Sequence, residues 1–243
     1  MALRLDPDTA AVVLQAVALR LGPLAVVQPV MASGLFMAVL IEAAVLRRRV
    51  VRRDLCAVTV GVTGLAVFLL LADIGAGVPS VGAAAWTAPV TGAAVIVSAC
   101  VGAAHRVTGA ARGALLGVAG GLAYSFAAAL VKDLTGRYHG NPWTTLATWP
   151  TAALLVAVAV GLLLNQTAFQ HGRLAAPLTA LTLTDPIAGF VIGVTVFRET
   201  LTPEPARLAG LVVSGGVVAV GVWLAATTTP TRPAVAGRRS DRS

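Results

Sequence analysis

Charge is scarce in this 243-residue chain: only 12% of its residues are Asp, Glu, Lys or Arg, whereas 57% are hydrophobic and the mean hydropathy is +0.86. Soluble domains carry about a quarter charged residues, so a fold of this size would lack the charge to cover itself in water, and a soluble enzyme or soluble binding domain is excluded. Cysteine is almost absent. Cys56 and Cys100 sit in apolar runs with no His or Cys at ligand spacing, which excludes a zinc site and a disulfide framework and leaves two small packing residues. Also missing are an Asp-rich loop and any His-x-x-Glu pair, the clustered interfacial groups that a membrane-embedded transferase would need. Residues Met1–Thr9 carry Arg4 but also Asp6 and Asp8, and the apolar stretch behind them runs into Arg20 without a small-residue cleavage pattern; they do not read as a signal peptide.

What the chain has is apolar length. A membrane span takes roughly 20 mostly apolar residues, which leaves room for about eight crossings. Hydrophobic segments run over residues 9–21, 23–46, 55–73, 85–104, 113–132, 149–170, 174–197 and 207–227. The expected fold class is therefore all-α, a polytopic transmembrane helix bundle. The first segment, broken by Arg20 and Gly22-Pro23, is too short to span alone and reads as the end of a longer helix.

The net charge of +8 and the pI of 11.2 would fit a nucleic-acid binder, but seventeen of the eighteen basic residues are Arg and they gather between hydrophobic runs. That is the pattern of cytoplasmic loops rather than of an RNA-binding face, and no nucleic-acid partner is expected. Arg47, Arg48, Arg49, Arg52 and Arg53 form the densest cluster and set the inside. Alternating from there, the loop with His105, Arg106 and Arg112 falls inside, as do Arg173 and the tail with Arg232, Arg238, Arg239 and Arg242. The loops at 74–84 and 132–148 fall outside, the second carrying Trp143 and Trp149 where an aromatic belt belongs. Arg198 and Arg207 are a mild exception, offset by Glu199 and Glu204. The expectation is a multi-pass protein of the inner (plasma) membrane, partnered by the lipid bilayer, with both termini cytoplasmic. A homodimer is compatible with these features. Residues 228–243, with Pro230, Pro233 and a basic end, read as a disordered cytoplasmic tail.

An internal repeat is the most informative feature. At an offset of 150, Leu14 pairs with Leu164, Ala18 with Ala168, Gly22 with Gly172, Leu24 with Leu174 and Ala25 with Ala175, and Gln15 meets the similar amide Asn165. Identities alone are weak in so Ala-, Leu- and Val-rich a chain. The shared order adds weight: an amide-bearing helix, a Gly turn, a Pro-bearing helix ending near an acid (Glu42, Glu199), a charged loop and a Gly-rich final helix. Five segments separate the copies, an odd number, so they would cross the membrane in opposite senses. Inverted repeats of this kind are typical of secondary transporters, with the substrate site between the halves. Gly113, Gly117 and Gly121 share one face of the fifth segment, and Gly210 with Ser214 repeats that spacing in the last; small residues so placed let helices approach closely in lipid.

The run Leu163-Leu164-Asn165-Gln166-Thr167-Ala168-Phe169, followed by Gly172 and a helix from Ala176 to Glu199, resembles the third and fourth helices of a repeat in the drug/metabolite transporter (EamA-like) superfamily. More narrowly, LNQTAFQHGRLAAP resembles the LN-x-AL segment of its NIPA-like, magnesium-transporting branch, and LQAVALRLGPLAVVQPV the matching segment of the first repeat. The resemblance covers most of the chain. It implies two inverted five-helix repeats, of which this chain would supply the third to the tenth helix: a repeat remnant over 1–84 and a five-helix repeat over 85–227. A start codon assigned too far downstream accounts for that better than a genuinely shortened protein. The function implied is secondary transport of a small metabolite or cation by alternating access, without a cofactor. The alternative is a non-transporting subunit or scaffold completed by another chain.

Ionisable groups inside spans are costly and mark function by default. Asp185 stands about midway along the seventh segment, before Pro186 and after Thr182 and Thr184. The proline frees a carbonyl one turn earlier, so carbonyl, hydroxyl and carboxylate oxygens would gather there. Such oxygens suit a hard cation, which makes Asp185 the expected ligand if a cation is carried, or else a proton carrier. The plainer reading is a hydrogen bond from Asp185 to Asn165 or Gln166. Asn165, Gln166, Gln15 and Gln28 are amides in apolar spans, either cavity-lining or holding helices together. Tyr124 and Ser125 would face the same cavity. Lys132 and Asp133 read as an ordinary solvated pair, Glu42 as an anchor or inner gate beside the Arg cluster, Glu199 as interfacial, and His105 and His171 as plain surface residues. The expected substrate-binding set is Asp185, Asn165, Gln166, Gln15, Thr182, Thr184 and Tyr124.

Overall fold

Helices form along the apolar runs and end where a proline, a glycine or a polar side chain takes over the backbone. In the computed structural model the described residues are 7–45, 52–75, 77–170, 175–201 and 204–227. Ten α-helices occupy them: α1 (Pro7–Leu21), α2 (Leu24–Ala32), α3 (Gly34–Val45), α4 (Arg52–Leu71), α5 (Thr87–Ala104), α6 (Gly109–Gly136), α7 (Pro142–Leu146), α8 (Trp149–Phe169), α9 (Ala175–Thr195) and α10 (Pro205–Thr227). A 3₁₀ turn, Ala83–Trp86, leads into α5. Among the described residues there is no β-strand beyond an isolated bridge between Ile74 and Leu201. The side chain of Glu42, Arg47 to Arg49, the side chain of Arg53, His171, Arg173 and the tail from 228 lie outside the described residues.

Pro23 caps α2 in an extended conformation (ψ 140°), because its ring fixes φ and its missing N–H would have had no partner at a helix start. Pro29 then sits inside α2, and the helix gives way at Ser33 before restarting as α3. The 23–46 segment is thus one apolar run folded as two helices. Ser33 bridges the break: its hydroxyl and its N–H both donate to Val30 O, at 2.6 and 3.1 Å. By contrast α9 passes through Pro186 without interruption, so the local opening expected beside Asp185 is absent. Neighbours on α6 and α2 hold the α9 backbone on both sides of the proline.

The long α6 is the axis of the bundle, with 72% of its apolar window buried, against 6% for the α5 span and 11% for α8. Its glycines explain this. A Cβ at Gly117 would come within 2.5 Å of Pro177 O, and one at Gly121 within 2.7 Å of Leu181 O. Only a hydrogen at those positions lets α6 lie directly on the α9 backbone. Gly113 opposes Pro177 and Ser125 opposes Asp185, so α6 and α9 run parallel. Tyr124 opposes Gly161 and Gly113 opposes Ala168, so α8 runs antiparallel to α6. Elsewhere Gln28 of α2 packs on Gly189 of α9, and α4 lies against α10, where Gly61 meets Gly221.

Among the described residues five helices are long and apolar enough to cross a membrane: Ala83–Ala104, Gly109–Gly136, Trp149–Phe169, Ala176–Thr195 and Pro205–Ala225. Three apolar stretches are shorter: Thr9–Leu21, Leu24–Ala38 and Leu55–Leu71. Large apolar side chains point outward along these helices, including Leu70, Val95, Leu155 and Val212. Such a surface suits hydrocarbon and points to a protein embedded in a membrane.

Candidate functional site

The chain's polar side chains meet in two places that differ in how fully they are satisfied. The first is a cavity of about 820 Å³ walled by α1, α2, α3, α6, α8 and α9. Gln15, Gln28, Tyr124, Thr182 and Asp185 supply its polar atoms, and Ala, Leu, Val and Met side chains supply most of the rest. Among the described lining residues Asp185 alone carries a formal charge. Its carboxylate accepts from Ser125 Oγ on α6 at 2.8 Å, and the same hydroxyl reaches the Asp185 backbone carbonyl. Thr182 Oγ1 donates back to Leu178 O at 2.7 Å, which leaves its lone pairs toward the site. Gln28 is only 3% exposed, and its Nε2 has no hydrogen-bond partner.

Four of the seven expected binding residues therefore come together: Asp185, Gln15, Thr182 and Tyr124. The other three lie elsewhere. Asn165 turns toward α6 opposite Gly120, with its Oδ1 buried and unpartnered, rather than into the cavity. Gln166, the next residue along α8, is exposed. Thr184 fills the groove against Gly121. The hydrogen bond anticipated from Asp185 to Asn165 or Gln166 is replaced by the one to Ser125, because α6 rather than α8 carries the glycines that let α9 come close.

The second place is a clasp at one end of the bundle. Helix α9 ends with Arg198 in the left-handed region (φ 54°) and with Glu199 N–H donating back to Gly193 O at 3.0 Å. The bond closes over seven residues, with Arg198 in the left-handed position at which glycine usually ends a helix. The reversal swings Glu199 over the start of α2, where Oε1 accepts from Leu24 N–H at 2.5 Å and Oε2 from Ala25 N–H at 2.9 Å. A carboxylate there satisfies two amides that the helix leaves unpaired and meets the positive end of its dipole. Lys132 Nζ completes the group, paired to Glu199 Oε1 at 2.5 Å, donating to Gly22 O at 3.3 Å and lying 5.0 Å from the Phe197 ring centroid. The two side chains are 4% and 0% exposed.

Beneath the clasp is an apolar plug. Trp86 meets Phe126 at a tilt and Trp149 and Phe197 edge-to-face, with ring centroids about 6 Å apart, joined by Leu19, Leu24 and Ile192. Ala128 belongs to both the plug and the cavity wall. Beside it Asp133, fully buried, accepts from Val81 N–H at 2.9 Å and from Arg137 Nε and Nη2 at 3.2 and 3.1 Å; Arg137 Nη2 also donates to Val81 O. That fixes the 77–82 loop to the end of α6. The solvated Lys132–Asp133 pair and the interfacial Glu199 expected from the sequence are thus corrected: each of the three is buried, and each has partners on another element. Comparison with known protein families, curated proteins and solved structures finds no match for the chain. Among the described residues no three His, Cys, Asp or Glu side chains gather as a metal site would require.

Proposed function

We propose that this protein is a secondary membrane transporter that moves a small metabolite or cation by alternating access, with Asp185 in the wall of the substrate cavity. The observation that carries the reading is the pairing of a mostly apolar cavity that holds the Asp185 carboxylate at mid-bundle with a charged clasp and aromatic plug at one end. A carrier needs a central site that each side reaches in turn. Here one route is blocked by Lys132, Glu199 and the Trp86 cluster.

Helix pairing supports the inverted repeat. With an offset of 150, α2 corresponds to the first part of α9 and α4 to α10, and each of these pairs packs antiparallel. A two-fold relation converts the contact of Gly61 with Gly221 into one between 71 and 211, and Leu71 lies against Gly210. Membership of the drug/metabolite transporter superfamily, and the orientation with both termini in the cytoplasm of a plasma-membrane protein, belong to the same proposal. In that orientation the clasp is on the outer side and the cavity opens inward. The test is uptake into proteoliposomes across a panel of amines, amino acids, sugars and Mg²⁺. Wild-type uptake that survives intact in Asp185→Asn would remove the carboxylate from the mechanism.

A second reading, a subunit completed by another chain, is favoured by one observation. The α8 and α9 faces that α6 covers correspond, at the same offset, to α1 and α2–α3 faces on which Leu14 is 68% and Met31 45% exposed. Transport by the purified chain alone would dismiss this reading.

A further inference from the structure

We infer that the cavity takes an organic monocation with a bulky apolar body, rather than a bare divalent metal ion. The inference rests on the cavity being the substrate site. Charge balance decides first. Among the described lining residues Asp185 alone carries a formal charge, so a single positive charge neutralises it, whereas a divalent ion keeps an uncompensated charge in a low-dielectric site. Ligand chemistry agrees. Mg²⁺ demands near-ideal octahedral oxygens and gives up water reluctantly, and here one carboxylate stands among mostly aliphatic walls.

Size and polarity narrow the class further. About 820 Å³ lies in the range of sites for drug-sized molecules, roughly 300–1,000 Å³. Five of the eighteen lining residues have polar side-chain atoms, too few for the many hydroxyls of a sugar, while the apolar remainder rewards a hydrocarbon body. An anion would meet Asp185 with no cation among the described lining residues to offset it. A zwitterionic phospholipid headgroup brings a phosphate with the same difficulty.

The test uses three probes of one shape: diphenylpropylamine, diphenylpropanol and diphenylpropanoate, with MgCl₂ as the fourth. Binding to the purified full-length chain is measured by calorimetry. The amine should bind at least about tenfold more tightly than its neutral and anionic counterparts, the ratio that one charge-assisted contact gives. Asp185→Asn should erase that preference, and Asp185→Glu should keep it. Equal binding of the three isosteres, amine binding unchanged in Asp185→Asn, absence of amine binding, or saturable Mg²⁺ binding that the amine does not displace would each overturn the inference. Proteoliposome uptake separates this from the carrier proposal. An amine that binds through Asp185 but never crosses would sink transport and leave the ligand class standing; Asp185-dependent Mg²⁺ uptake without amine binding would do the reverse.

Discussion

Asp185 and Glu199 belong to one helix and the loop that leaves it, yet Glu199 is saturated with partners while Asp185 has a serine on one side and open space on the other. Both are acids in an apolar surround, and burying either alone would be costly. Glu199 recovers that cost from a lysine and two helix amides, so its chemistry is spent inside the fold. Asp185 keeps binding capacity in reserve. Partner count, rather than depth or helix position, separates a structural carboxylate from one poised for a ligand.

The comparison breaks hardest at the clasp. Glu199→Ala leaves Lys132 buried without its counter-ion and strips the α2 amides, and should lower stability by about 3–5 kcal/mol, read as a fall in the unfolding midpoint in detergent. Lys132→Met combined with Glu199→Gln should recover most of that loss, because the Gln carbonyl still accepts from α2 and no charge is orphaned. A double variant as unstable as Glu199→Ala would show that the pair does more than neutralise itself.

Packing along α6 gives a middle-sized effect. Gly117→Ala pushes a methyl into Pro177 O, whereas Gly216 has nothing within 4 Å. The first should cost about 1–3 kcal/mol and Gly216→Ala should be neutral or stabilise by up to about 1 kcal/mol. Equal effects in thermal unfolding would argue against the close α6–α9 contact. A smaller gain is expected from Arg198→Gly, about 1 kcal/mol in the same assay, since glycine adopts the left-handed closure of α9 without steric cost. Asp185→Asn should shift the unfolding midpoint least of all, because its one side-chain partner, Ser125, can still donate to the amide oxygen.

Hydropathy made the helices legible, and the break near Pro29 and the contact role of Gly113, Gly117 and Gly121 follow from residue chemistry readable before folding. Asp185 stood out as a lone acid within a span. The clasp was not legible, because Lys132 and Glu199 lie 67 residues apart and each, taken alone, sits near a helix end where water is the default partner. One signal was available: Lys132 is the sole lysine beside seventeen arginines. The failure at Asn165, Gln166 and Thr184 has a different cause. Sequence places residues on a helix but not the rotation of that helix, and α8 is turned so that Asn165 faces α6 and Gln166 faces outward.

The central claim is that water reaches the Asp185 cavity from one side only while the clasp is closed. It is tested by replacing Cys56 and Cys100 with alanine, introducing Ala127→Cys in the cavity wall, and labelling oriented vesicles with a charged, membrane-impermeant maleimide added to either face. Labelling from the inner face alone, shifting toward the outer face when Glu199→Ala is added, is the expected result. Labelling that is equal from both faces, or that only a lipid-soluble maleimide achieves, would contradict it.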